Sequence, residues 1–143
     1  MWAITLVFKV SYEIHTNKEL ELMLSGKKPL AIFYEDISFL PDENFIPESK
    51  FAPYVKNGQF IRAEEIIEGP YSEKLARKTR IKNVLFSQTG EEWRIKAMLL
   101  LKREFYRTGE WNETCERMEG VLLGYTEEEN NEFCEKHYQK TVL

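Results

Sequence analysis

At 143 residues the chain has the length of one domain, and a chain of this size buries roughly two thirds of the surface that its unfolded form exposes. A composition of 43% hydrophobic and 13% aromatic residues, with seven Gly and five Pro, excludes a linker or a disordered tail. The formal charge of −4 argues against a nucleic-acid footprint over the whole surface, because such proteins carry a net basic face that releases counterions.

From Trp2 to Ile14 every second residue is large and apolar (Trp2, Ile4, Leu6, Phe8, Val10, Tyr12, Ile14), the period of a strand that buries one face. Thr16 stands three residues before Glu19 in capping-box spacing, and Gly26 offers a left-handed stop. A short helix is predicted over 17–25. A second strand over 30–34 completes a β-α-β opening, whose short crossover leaves parallel and antiparallel pairing both open. Between 35 and 59 the text changes: Pro41, Pro47, Pro53 and Gly58 punctuate it, and Phe39, Phe45, Phe51 and Tyr54 recur at irregular spacing. Regular structure there is expected to be brief, one turn near 50–55. Strands follow over 60–67 and 79–88, joined by the polar segment 68–78.

The last third reads as helical. Thr89 to Glu92 has capping-box spacing, and no Pro or Gly interrupts 91–107. The apolar residues of that helix, from Trp93 to Tyr106, cover more than one stripe, which predicts cover on two sides. Trp111, Cys115, Met118, Leu122 and Tyr125 then form a helical seam, with Glu113, Glu116 and Glu119 off it and Gly124 as its stop. Thr126 and Glu129 begin a terminal helix with Phe133, Cys134, His137 and Tyr138 on one face. Strands first and helices last predict a single α+β domain over 1–143: a small mixed or antiparallel sheet of about four strands with three C-terminal helices packed on one face.

Few patterns point to chemistry. Ser25-Gly26-Lys27-Lys28 lacks the Gly-x-x-x-x-Gly-Lys spacing that wraps a phosphate, and no Gly-x-Ser-x-Gly elbow is present. Cys115 and Cys134 make no disulfide framework and no Cys-x-x-Cys centre. Both are read as reduced core thiols, and with His137 they fall short of a zinc set. No cofactor or metal is expected. Segment 1–8 lacks a basic leader and a cleavage site, and no apolar run exceeds the length of 97–101, far below the ~18 residues of a membrane span. A cytoplasmic protein, monomer or homodimer, is expected.

Segment 35–59 is least explained by folding, since irregular stretches beyond about 12–15 residues often serve as binding loops. The leading expectation is a binding or interaction protein. Its aromatic segment and the adjacent sheet edge would engage a small-molecule ligand or a protein partner through Tyr34, Glu35, Asp36, Phe45, Tyr54, Arg62 and Glu64. The alternative is a small hydrolase or transferase acting on a charged molecule, with Glu35, Asp36 or Glu64 as acid/base and Arg62 holding an anionic group. Arg77, Lys78 and Arg80, within the basic run 74–82, form a second candidate site, for an anion. A third reading, mimicry of nucleic acid, rests on the nine glutamates that face a single Arg117 between Glu110 and Glu135.

Overall fold

The computed structural model describes residues 10–39 and 45–138. In chain order its elements are α1 (Glu19–Leu24), β1 (Leu30–Asp36), α2 (Glu48–Lys56), β2 (Phe60–Ser72), β3 (Arg77–Gln88), α3 (Trp93–Thr108), α4 (Glu113–Leu123) and α5 (Glu127–His137). The strands form one antiparallel sheet in the order β1-β3-β2, so β3 is central. Leu30 pairs with Ser87 and Asp36 with Ile81 on one side, Phe60 with Gln88 and Glu68 with Arg80 on the other. The architecture is α+β.

Three strands, not four, are present among the described residues. Most of the strand expected over 2–14 lies outside them, and its described end, 10–14, is not extended into a ladder. There Ser11 donates through its backbone N–H and its hydroxyl to the Glu132 carboxylate of α5, at 3.0 and 2.8 Å.

The expected one-sided cover is also corrected. Because successive strand residues point to opposite faces, β3 sends Leu85 toward α3, α4 and α5, where Ile95, Met98, Leu122 and Phe133 pack. It sends Val84 and Phe86 the other way, toward Met23 of α1 and Phe51 of α2. Residues 83–87 are all buried, as befits a strand covered on both faces. Segment 35–59 supplies this second core: Phe51, 1% exposed, stacks on Phe86 with ring centroids 4.3 Å apart. Its apolar demand turns the single expected turn into a nine-residue helix.

Local signals succeed unevenly. Thr126 and Glu129 form the reciprocal capping box. The other two boxes do not close, because Thr89 gives its hydroxyl to the Gly58 carbonyl at 2.6 Å and Glu19 accepts from the Asn17 N–H at 3.3 Å. On α4 the seam is rotated, with Glu116 and Glu119 buried while Met118 and Val121 are about half exposed. Leu100 and Trp93 likewise face outward from α3, so the extra stripe on that helix is not covered.

Candidate functional site

Among the described residues β1 is an edge strand, and a cavity of about 590 Å³ wraps around that edge. Ile32 and Phe33 both line it, although neighbours in a strand face opposite ways. His15 and Leu20 contribute from the start of the described chain and α1, Phe45 and Phe51 from the approach to α2 and α2 itself. Lys102, Glu119, Leu123 and Tyr125 contribute from α3, α4 and the turn beyond.

Two lysines on this wall are each only 1% exposed, Lys28 and Lys102. Such burial is exceptional for lysine without a pairing or a function. Lys102 has a carboxylate partner: it forms a buried ion pair with Glu119, itself 3% exposed, and its ammonium lies 4.9 Å from the centroid of the Trp111 ring.

Lys28 is held differently. The end of α1 turns at Gly26, and the N–H groups of Lys27 and Lys28 both return to the Leu22 carbonyl, at 3.0 and 3.2 Å. The Lys28 Nζ then lies 2.8 Å from His15 Nδ1 and 3.0 Å from the Leu123 carbonyl oxygen. The His15 ring stacks on Tyr125 at 3.7 Å, and the His15 backbone N–H donates to the Tyr125 hydroxyl at 2.9 Å. Gly124 brings the far wall close. It caps α4 at φ 95°, and a Cβ there would stand 2.4 Å from Cδ of Pro29. No other residue type lets the helix end approach the 27–29 loop this closely.

Burial and then the Lys28 charge push His15 down to about 3, so its ring is neutral, and in the tautomer protonated at Nε2 its Nδ1 accepts from Lys28. Burial pushes Lys28 down to about 7, against the pull of Glu19 and Glu119. An unfolded lysine keeps its proton to about pH 10.4. Between those values the unfolded chain therefore binds the extra proton, and stability rises with pH. Urea denaturation from pH 7 to 9.5 is expected to show that rise, and Lys28→Met to flatten it. A slope unchanged in the variant would assign the rise to another group.

The residues singled out from the sequence divide. Tyr34 and Phe45 lie on the cavity wall; burial and then Glu119 push the Tyr34 phenol up. Tyr54 instead packs on Phe60 in the second core, at 5.5 Å. Arg62 is clamped by Glu48 through two bonds of 2.6 and 3.1 Å and by Glu64 at 2.7 Å, so its fork is already occupied. Of the acid pair, Glu35 lies opposite Lys82 and so shares the sheet face of Glu64 and Arg62, whereas Asp36 points to the other face and accepts from the Ser38 N–H at 2.8 Å. Arg77, Lys78 and Arg80 lie at the start of β3, where Lys78 reaches Glu68 at 3.8 Å with both side chains largely exposed, and exposed pairs bind weakly. Among the described residues no group of three His, Cys, Asp or Glu side chains could hold a metal, and no helix is long and apolar enough to cross a membrane.

Sequence reasoning passed over His15, Lys28, Lys102, Glu119 and Tyr125 as a site. One signal was available: Ile95, Met98, Leu99 and Lys102 follow the i, i+3, i+4, i+7 rule of a buried stripe, which places a lysine in the core. No protein-family model, curated protein or solved structure matches this chain.

Proposed function

We propose that this protein binds a small amphipathic molecule in the cavity beside β1, its oxygen-bearing head at Lys28 and its apolar body along Phe33 and Phe45. The observation that carries this reading is a lysine 1% exposed on the wall of a cavity of about 590 Å³, a volume within the usual range for small-molecule sites. Aromatic and aliphatic side chains supply most of the remaining surface, with Tyr34 and Tyr125 as hydroxyls that fix orientation. Phe45, 63% exposed, stands at the mouth and gains cover when the site fills. The aromatic segment and the sheet edge thus act together on a ligand, with a half-open cavity as the recognition element.

Decanoate is a suitable probe. Calorimetric titration is expected to give one site, and Phe45→Ala to weaken it about tenfold, the equivalent of about 1.4 kcal/mol. The same variant should leave stability within about 0.5 kcal/mol, as for other exposed positions. Because the Lys28 ammonium loses its proton near pH 7, affinity for the carboxylate falls from pH 6 to pH 8. Non-saturable binding, or equal affinity in wild type and Phe45→Ala, would sink the reading.

A further inference from the structure

We propose that Lys28 is a nucleophile that captures an aldehyde or ketone in the β1 cavity as an imine. The inference rests on the ligand-binding reading above and names the chemical class of the ligand. A neutral lysine amine has two N–H donors and one lone pair. At Lys28 two acceptors are in place, His15 Nδ1 at 2.8 Å and the Leu123 carbonyl at 3.0 Å. With His15 protonated at Nε2, both donors of the neutral amine are satisfied and the lone pair is left over.

The contrast with Lys102 separates the two lysines. Lys102 faces a carboxylate, Glu119, and an aromatic ring, Trp111, partners that hold an ammonium. Lys28 forms no ion pair among the described residues; its hydrogen-bonding neighbours are an imidazole and a backbone carbonyl, and the Tyr125 ring centroid lies 6.0 Å away, at the outer limit of a cation–π contact. Facing it from the surrounding elements are His15 before α1, Glu19 of α1, Glu119 of α4 and Tyr125 beyond α4. Neither glutamate is close enough to fix the positive form by contact. Burial favours the neutral amine, and desolvated lysines of this kind are the ones that form Schiff bases.

The step balances without any redox partner. The Nζ lone pair attacks the carbonyl carbon, and the carbonyl π pair moves to oxygen. The nitrogen gives up its two protons, the oxygen departs as water, and a carbon–nitrogen double bond remains. His15 and the Leu123 carbonyl orient the amine before attack and are positioning groups. The apolar wall at Ile32, Phe33 and Leu123 suits a carbonyl compound with a hydrocarbon body.

The test treats the full chain at pH 7.0 with one equivalent of decanal and sodium cyanoborohydride, followed by peptide mapping. A solvated lysine is neutral in less than about 1 molecule in 1,000 at that pH, so labelling reports the environment of the amine. The expected result is a single N-decyl adduct on Lys28, at least tenfold over any other lysine side chain, suppressed by excess decanoate. Should decanoate bind at one site while decanal labels Lys28 no more than surface lysines, the imine is overturned and the cavity reading stands. Failure of decanoate to bind, with no preference for Lys28, removes both.

Discussion

Replacing Glu119 with leucine is expected to lower the free energy of unfolding by about 3–5 kcal/mol, the cost of leaving one member of a buried ion pair behind. Lys102 is 1% exposed and, among the described residues, would keep the Trp111 ring, 4.9 Å from its ammonium, in place of a charge-assisted hydrogen bond. The ring cannot compensate, since a desolvated cation–π contact is worth about 2 kcal/mol. Adding Lys102→Met to Glu119→Leu should recover most of the loss, because two apolar side chains of similar size remove the buried charge altogether. Urea denaturation of the wild type, both single variants and the double variant closes the cycle. A double variant as unstable as Glu119→Leu would show that the pair is not the cause and that α4 depends on Glu119 in some other way.

Gly124→Ala should produce the second large effect. The left-handed backbone at φ 95° costs a Cβ-bearing residue about 1–2 kcal/mol. The 2.4 Å approach to Cδ of Pro29 adds an overpacking cost of about 1–3 kcal/mol, because a proline ring cannot swing aside. Gly26→Ala is the internal control: φ there is 79°, but nothing lies within 4 Å of the added atom, so the conformational cost stands alone. The two variants should therefore differ clearly in midpoint. Gly124→Ala should also weaken decanoate binding, since the displaced helix end carries the Leu123 carbonyl that holds Lys28. Equal stability of the two alanine variants would mean that the 27–29 loop yields easily and does not fix the site.

The Glu119–Lys102 pair also changes the charge count of the C-terminal third. The nine glutamates between Glu110 and Glu135 look like one acidic surface. Two of them, Glu116 and Glu119, are buried instead, and Glu119 is matched by a lysine from the preceding helix. Those two are withdrawn from any acidic face, since burial desolvates a carboxylate, while the other seven are exposed or half-buried.

By itself the sequence determined the local elements wherever periodicity or a terminator acts within a few residues. Period-two alternation marks β2, and the missing Pro and Gly mark α3. Gly124 and Gly109, both left-handed, end α4 and α3 where the text places their stops. Thr126 and Glu129 start α5 because both halves of that capping box are local. Tertiary structure alone decided the rest. Which face of α4 is buried depended on Lys102 reaching Glu119 from another helix. Whether Thr89 caps α3 depended on a competing carbonyl at Gly58. The second layer over the sheet arose because β3 is apolar on both faces, and that demand recruited Phe51 from a segment with no helical period of its own. The cavity was the least legible feature of all: His15, Lys28, Lys102, Glu119 and Tyr125 are scattered across more than a hundred residues of chain. Their proximity is a consequence of long-range packing around the edge of β1, and desolvation, which gives Lys28 its character, exists only once that packing is complete.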